Sequence, residues 1–308
     1  EKLFWHADKS THLGISGRLL TIFNIYNEEL KALGNIDLSL YIPTEEDLNV
    51  SLGKFQGLVF DESHDIPRGP LRRLFDAVNT RNATYEHGFC EMTVCFDNQQ
   101  SMIDTVTSLP YIQQHLGKFE THYLNTSYRC DGDILKWSNS ILAMKNSVAG
   151  GIDGKDDYSA LITSMTGVSS RVSEVNTTNH AEIHKLNELL QRTDISTVVI
   201  VPSHTLIDQA RVLFPGAPIY TVEESKGLEF DVVVKYGFYN SDDALLKDVD
   251  SVYRNGGYSS SPQNRSKERN SLSRCNSLYF HKSFVAATRT MSELIIVDDD
   301  VAASDSFP

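Results

Sequence analysis

The stretch Thr221–Val234, read as TVEESKGLEFDVVV, constrains the fold of this chain more than any other. Its apolar β-formers, Phe230 and the valines that follow, come after a Lys226-Gly227 turn. Glu229 stands between the turn and the apolar run. The pattern predicts a loop that enters a buried strand and holds one carboxylate at its mouth. Polar strand entrances are common, so the stretch by itself predicts a strand and no chemistry.

Length and composition limit the classes of protein to which this chain can belong. The chain has 308 residues, enough for two domains that each have a core, and it has no apolar run long enough to span a membrane. Its formal charge of −13 argues against nucleic-acid binding by a broad positive surface, but a local basic groove remains open. Four cysteines without ligand spacing predict a reduced intracellular protein, cytoplasmic or nuclear, without structural zinc.

A second stretch, FQGLVFDESHD at residues 55–65, ends a short apolar run in Asp61 and Glu62. A buried parallel strand in that position would deliver both carboxylates to the carboxyl edge of a sheet. Phosphoryl transfer to water needs one carboxylate to hold Mg²⁺ and a neighbour to orient and deprotonate the water. Acidic pairs at strand ends are also frequent as solvated turn residues, so the pair alone leaves both interpretations open.

Further polar residues follow predicted strands or lie beside predicted helices. They are Gln100 after a strand at 92–96, Tyr128 and Arg129 after a strand at 119–124, and Arg289 on a helix that leads into a final strand, Leu294–Val297. A planar, permanently charged guanidinium suits a phosphate group better than an ammonium does. A core-facing Tyr beside a surface Arg is the simpler interpretation of an isolated Tyr-Arg pair.

The other segments give predictions of local structure alone. Helices are predicted at 12–33, Pro67–Val78, Asp133–Met144, Ala181–Gln191 and Leu206–Leu213, strands at 38–41, Thr197–Val201 and Ile219–Val222, and a surface loop at Ala149–Tyr158. The segment 240–279 is polar, acidic first and then basic, with many serines. That composition favours a flexible insertion over a packed element.

Taken together, these segments resemble the motifs of the UvrD/Rep/PcrA branch of superfamily 1 DNA helicases, in the order in which that family has them. SKGLEFD followed by valines is similar to the fifth motif, and FDESHD is similar to the second, the Walker B element. Similarity to the third, fourth and sixth motifs is carried by DNQQSM at 97–102, SYR at 127–129 and SFVAATRTMSELIIV at 283–297.

The resemblance covers roughly residues 55–130 and 180–297. It implies an α/β fold with two RecA-like domains, whose parallel β-sheets are flanked by helices and whose shared cleft binds nucleotide. Residues 1–117 would form the carboxyl-terminal part of the first domain. Residues 118–308 would form the second domain, with the polar insertion at about 240–279.

The resemblance also implies ATP and Mg²⁺ as cofactors and gives roles to individual residues. The catalytic group would be Glu62 as the base, Gln100 close to the γ-phosphate and Arg289 as an arginine finger, with Asp61 as the metal ligand. The nucleotide-binding group would be Tyr128 stacked on adenine, Arg129 at the γ-phosphate, and Glu229, Lys226 and Gly227 in the loop. An arginine finger stabilises charge on the transferring phosphoryl group.

The positions that face the nucleic-acid strand depart from the family pattern. Thr105 stands where the family has a base-stacking aromatic, and Glu223, beside Glu224, stands where it has a phosphate-contacting histidine. Two carboxylates there would repel DNA. Single-stranded DNA is therefore a weakened partner, with Thr221, Arg265, Lys267 and Arg269 as its remaining weak candidates, and the rest of a larger parent chain or a protein partner is the alternative.

The phosphate loop G-x-x-x-x-G-K-[ST] does not occur in these residues, and the chain begins with Glu1 and not with Met. We expect the loop to lie upstream in a parent chain, and we expect this polypeptide alone to bind ATP poorly. Three hypotheses remain: an ATP-dependent helicase or translocase, a helicase-derived ATPase or nucleotide switch that controls a partner, and a degenerate scaffold whose motifs persist as packing.

Overall fold

A computed structural model describes the backbone of the chain over ten ranges: 57–66, 68–84, 91–102, 109–116, 119–124, 126–130, 132–148, 163–164, 170–239 and 267–299. The helix predicted at 12–33, the strand predicted at 38–41, the loop at Ala149–Tyr158 and the first part of the predicted insertion, 240–266, lie outside these ranges. Thr105 and Arg265 also lie outside them.

The described helices and strands alternate along the chain. In order they are β1 (Gly57–Phe60), α1 (Arg68–Thr84), β2 (Glu91–Val94), α2 (Leu109–Leu116), β3 (Thr126–Ser127), α3 (Gly132–Val148), β4 (Thr163–Ser164), β5 (Arg171–Asn176), α4 (His180–Leu190), β6 (Thr197–Val201), α5 (Ile207–Leu213), β7 (Ile219–Thr221), β8 (Phe230–Tyr236), α6 (Lys267–Thr288) and β9 (Thr290–Asp298). Short 3₁₀ turns follow β1, β2 and β6 at Ser63–Asp65, Asn98–Gln100 and His204–Leu206.

Every strand pairing in the described residues is parallel. The largest sheet has five strands in the order β5-β9-β8-β6-β7, and two shorter pairs join β1 to β2 and β3 to β4. Parallel neighbours need crossover connections, and the intervening helices provide them. The predicted fold class, α/β with parallel sheets flanked by helices, is confirmed.

The five-stranded sheet is covered on both faces because its central strands alternate apolar side chains to each side. From β6, Val198 and Ile200 pack with α3 and α6 on one face, whereas Val199 and Val201 pack with α4 and α5 on the other. Strands of this kind are apolar at every position, since neither face meets water. The solid run of valines in β8 is the sequence signature of that double burial.

A separate, smaller core supports the first strand pair. Leu71 and Phe75 on α1 and Ile112 on α2 are almost fully buried, and Met92 and Val94 of β2 pack against them. Helix α1 therefore holds the β1–β2 pair in place by apolar contact on one side. The carboxyl ends of both strands then emerge at the same edge.

Three predictions about local structure are wrong. Residues 119–124, predicted as a strand, form no helix or strand, and the one strand near them is the two-residue β3. Helix α6 already begins at Lys267, so the predicted flexible insertion is helical from that residue onward. Arg289 lies in the turn between α6 and β9 and not on the helix.

The length and apolar character of the helices bear on membrane insertion. Among the residues that the structure describes, no helix combines the length and the apolar character needed to cross a bilayer.

The second face of the sheet provides a test of the core. Phe214, just after α5, is fully buried, whereas Val212 on the same helix is 84 % exposed. Truncating a buried Phe removes apolar contacts and leaves a cavity, so Phe214→Ala should lower the free energy of unfolding by about 3–5 kcal/mol. Val212→Ala, the matched control, should change it by less than about 0.5 kcal/mol. Urea denaturation measures both, and equal effects would contradict the described packing.

Candidate active site

The turn after β1 holds the two carboxylates in different environments. Asp61 Oδ1 accepts the backbone N–H of Glu62 at 2.9 Å, and the next residue, Ser63, is held by Cys95 O through its N–H and by Phe60 O through its hydroxyl. Glu62 itself has left-handed backbone angles, φ 51° and ψ 36°, the only non-glycine residue with positive φ in the described ranges. Such strain persists only where the surroundings impose it, and it is concentrated at functional sites.

His64 lies beneath this turn and is 1 % exposed. Its Nδ1 accepts the backbone N–H of Asp97 at 3.0 Å, so the proton of the neutral ring is on Nε2. Burial lowers the pKa of His64, which favours that neutral ring. Nε2 lies 3.1 Å from Glu62 Oε2, although the two do not form an aligned hydrogen bond.

The loop after β2 is organised by the Asp97 carboxylate. Oδ1 accepts the backbone N–H of Gln99, and Oδ2 accepts the Nε2–H of Gln100, both at 2.9 Å. Because its amide nitrogen is bound in this way, Gln100 presents its oxygen to the other side. The side chain of Gln99 accepts a hydrogen bond from Lys145 Nζ at 2.7 Å, which ties this loop to α3.

Arg289 meets that amide oxygen. Its Nη2 donates to Gln100 Oε1 at 3.1 Å, and its Nε donates to Val285 O at 3.3 Å. The side chain is almost completely buried. Burial lowers the pKa of Arg289 from its ordinary value, and the neighbouring Arg129 guanidinium lowers it further. An arginine remains charged at neutral pH even so, and two guanidinium groups close together favour an anion.

Arg129 is bound by Glu229. Its Nε donates to Glu229 Oε1 at 2.7 Å, its Nη2 donates to the same oxygen, and its Nη1 donates to Thr288 O at 3.2 Å. Both side chains are partly exposed, so solvent screens the pair and its net contribution to stability is small. The loop before β8, which contains the Lys226-Gly227 turn, therefore places the Glu229 carboxylate on one of the two predicted phosphate-binding arginines.

The remainder of that loop reaches the first strand pair. Lys226 Nζ donates to both carboxylate oxygens of Asp65, at 2.6 and 2.8 Å. Gly227 follows with φ +76°, a backbone conformation that other residues rarely adopt, and this explains the glycine in the Lys-Gly turn. Phe230 N–H donates to Arg289 O at 2.9 Å, so the amino-terminal ends of β8 and β9 are joined.

The two acidic residues of this loop, Glu223 and Glu224, both bind partners within the protein. Glu224 Oε2 accepts the N–H and the hydroxyl of Thr221 at 2.8 and 3.0 Å, which lowers the pKa of Glu224. Glu223 forms an ion pair of 2.8 Å with Lys282. Glu224 thus closes its own loop while its side chain stays exposed, and the expectation that two carboxylates here repel DNA remains a prediction. Thr221 is fully buried, so it is not available to a nucleic-acid phosphate.

Residues from five distant segments thus meet in one place. Glu62 and Gln100 come from the carboxyl ends of β1 and β2, Glu229 and Arg289 from the amino ends of β8 and β9, and Arg129 from the turn after β3. The longest of these contacts in sequence, Arg289 to Gln100, joins residues 189 positions apart. Direct side-chain hydrogen bonds join Gln100 to Arg289 and Arg129 to Glu229.

A cavity of about 640 Å³ opens beside Arg129. It is lined by Ser127, Tyr128, Arg129, Glu229, Asp231, Met291 and Ser292. Its volume lies within the range of small-molecule and cofactor sites. Tyr128 is 76 % exposed, so its ring is open to a stacking partner and is not a core side chain.

Two arrangements near Glu62 bear on metal binding. Asp61 is exposed, and its Oδ2 is an oxygen ligand of the kind that Mg²⁺ prefers, with room for water around it. The ligand atoms of Glu62, His64 and Asp65 also lie within 4.8 Å of one another. Of these, the His64 ring is held by Asp97 and carries its proton on Nε2, and Asp65 is already paired with Lys226. Asp61 therefore fits Mg²⁺ better than this second group does.

Sequence reasoning missed several residues that complete the site. They are His64, Asp65 and Asp97, together with His281, whose Nδ1 lies 2.9 Å from Ser101 O. A histidine two residues after the Asp-Glu pair was the available sequence signal for His64. The predicted nucleic-acid contacts Lys267 and Arg269 lie in the first turn of α6, and their side chains lie outside the described part of the chain.

The chain was compared with known proteins. It matches no protein-family model and no curated protein. Solved structures similar to it include a PRRSV helicase, with 14 % identity over 81 % of this chain and 36 % of that chain and a TM-score of 0.36. Nonstructural protein 10 of an arterivirus, a helicase, has 16 % identity over 81 % of this chain and 40 % of that chain, with a TM-score of 0.37.

The C-terminal domain of a possible DNA helicase from Lactobacillus plantarum WCFS1 has 15 % identity over 56 % of this chain and 86 % of that domain, with a TM-score of 0.28. This chain therefore spans well under half of the two viral helicase chains. Helicases are thus among the structures to which this chain is similar.

Cys130 tests the packing directly behind the two arginines. It is buried, and its Sγ–H donates to Thr290 O at 3.2 Å. Burial raises the pKa of Cys130 to about 11, so at pH 8 only about one molecule in a thousand carries the reactive thiolate. Thiol labelling with peptide mass spectrometry should modify Cys130 far more slowly than the exposed Cys95, and faster as the pH rises towards 11.

The unfolded protein serves as the control for this experiment, because there the two thiols should react at similar rates. Rapid labelling of Cys130 in the folded protein at pH 8 would contradict the closed packing around Arg289.

Proposed function

We propose that the protein is an ATP hydrolase of the superfamily 1 helicase type, of the UvrD/Rep/PcrA branch, which uses hydrolysis to move on single-stranded nucleic acid. The observation that carries the proposal is the hydrogen bond between Gln100 and Arg289, beside the Arg129–Glu229 pair. This hydrogen bond joins Gln100, expected close to the γ-phosphate, to Arg289, expected as the arginine finger, and that contact supports the proposal. Phosphoryl transfer is catalysed mainly by such positioning and charge.

Asp61 and Glu62 take the two carboxylate roles. Asp61 would hold Mg²⁺, which neutralises phosphate charge when it is bound. Glu62 accepts the proton of the attacking water, and its side chain is more than half exposed, so water reaches it directly. The left-handed backbone at Glu62 interrupts the extended conformation of the chain just after β1.

The two arginines act on the phosphates. Arg289 is held by Val285 O and Gln100 and therefore approaches with a fixed guanidinium plane. Arg129 is partly exposed and exchanges its contact with Glu229 for a contact with phosphate at small cost, because a screened pair contributes little. Tyr128 stacks on the base at the mouth of the cavity, where Ser127 and Asp231 supply further polar atoms.

The decisive measurement is ATP hydrolysis by the full-length natural protein and by its Arg289→Lys variant. Lysine keeps the positive charge but lacks the planar donor pair, so we expect kcat to fall about a thousandfold. The control is Arg211→Ala, an exposed arginine on α5 that pairs only with Asp208 in the described contacts, and it should retain wild-type hydrolysis.

Thermal unfolding of each variant shows whether its fold is kept. Wild-type protein that hydrolyses no nucleoside triphosphate would overturn the proposed activity. Wild-type hydrolysis that Arg289→Lys leaves intact would remove Arg289 from the mechanism while leaving an ATPase.

A nucleotide switch without strand translocation is the second candidate function. It is favoured by the burial of Thr221 and by the Glu223–Lys282 pair, because both occupy positions where the family contacts nucleic acid. The degenerate scaffold is the third, and an absence of hydrolysis in the wild-type protein favours it.

The effect of single-stranded DNA on hydrolysis distinguishes the helicase or translocase (the motor) from the nucleotide switch. For the motor, we expect DNA to stimulate hydrolysis and to bind with an affinity that falls steeply with salt, since lysine and arginine contacts to phosphate release counterions. Hydrolysis that depends on Arg289 but changes less than about twofold with DNA would select the switch. Filter binding at several salt concentrations, run beside the hydrolysis assay, provides both readouts.

A further inference from the structure

A continuous series of contacts runs from Glu62 to Arg289 through a residue without an assigned role. His64 Nε2 lies 3.1 Å from Glu62 Oε2, and His64 Nδ1 accepts the N–H of Asp97 at 3.0 Å. Asp97 Oδ2 accepts from Gln100 Nε2 at 2.9 Å, and Gln100 Oε1 accepts from Arg289 Nη2 at 3.1 Å. Four short contacts thus connect the predicted base with the predicted arginine finger.

Each link in this series has a defined direction. A backbone N–H can only donate, so Nδ1 of His64 is the acceptor and its proton is on Nε2, facing the Glu62 carboxylate. The Asp97 carboxylate can only accept, so it fixes the amide of Gln100 with the oxygen towards Arg289. Rotation of the exposed Glu62 side chain by a small angle would align its carboxylate with the His64 N–H.

His64 itself cannot move easily. It is enclosed under the turn, and Ser101 Oγ donates to its backbone oxygen at 3.5 Å, so both its ring and its main chain are bound to the loop after β2. Its ring is therefore placed by the same loop that places Gln100. A shift of that loop moves both contacts together.

We propose that His64 is a positioning residue that aligns the Glu62 carboxylate with the Gln100–Arg289 contact, so that base and arginine keep a fixed relative position. This inference rests on the proposed hydrolase activity and adds to it a specific residue that acts through others. His64 touches neither nucleotide nor water in this scheme. Misplacement of a catalytic group by about 1 Å can cost about a hundredfold in rate.

The test uses His64→Asn in the full-length natural protein. Asparagine keeps an oxygen acceptor at the place of Nδ1 for the Asp97 N–H but has no group at the place of Nε2. We expect kcat for ATP to fall between about tenfold and a hundredfold, with KM for ATP and melting temperature unchanged. His184→Asn, an exposed histidine on α4, is the matched control and should equal wild type.

A double-mutant cycle on kcat tests the connection to Arg289. In an Arg289→Lys background, His64→Asn should reduce kcat by less than about threefold, because both changes disrupt one unit. Full multiplication of the two effects would show that His64 and Arg289 act independently and would overturn the inference. His64→Gln, whose longer side chain can bring an amide N–H to the place of Nε2, is the conservative variant and should retain more of the wild-type kcat than His64→Asn.

The remaining outcomes are also decisive. Wild-type kcat in His64→Asn overturns this inference alone and leaves the hydrolase proposal standing. Loss of activity that follows a lower melting temperature in both the Asn and the Gln variant assigns His64 a purely structural role and also overturns it. Wild-type protein without hydrolysis overturns the proposed function, and this inference falls with it.

Discussion

Strand β8 is buried on both faces, and the positions of Glu229 and Arg289 follow from that burial. A strand between two helical layers can bring polar residues to the surface only at its ends. Glu229 stands immediately before β8, and Phe230 N–H binds Arg289 O at the start of the neighbouring strand. The apolar core of the sheet thus holds a carboxylate and an arginine side by side, although neither contributes to that core.

Most charges at the site are matched within the protein. Arg129 has Glu229, Lys226 has Asp65, and Arg289 is bound by neutral oxygens of Gln100 and Val285. The first two pairs are partly solvated, so their exchange for other anions changes the free energy little, whereas buried Arg289 keeps its neighbours. Arg129 and Lys226 can therefore change partner, whereas Arg289 serves as a fixed point.

The pattern of apolar residues was sufficient to predict most of the larger sheet. Thr197–Val201 is a strand over the predicted residues, and the helices near Ala181 and Asp133 agree within a few positions. Residues 119–124 were predicted as a strand, but the chain there makes no ladder hydrogen bonds. The helix that begins at Lys267 was not predicted from the sequence. Its first half is charged and rich in serine and lacks the apolar periodicity on which helix prediction depends.

The sequence alone determined the parallel α/β class, the order of the motifs and the residue types at the strand ends, since these depend on local periodicity and composition. Only the tertiary structure decided what each polar group does. It buried Thr221 against Glu224, directed Glu223 to Lys282, and placed His64 between Glu62 and Asp97. Such partners are decided by packing between distant segments, and no local pattern in the chain records which segments will meet.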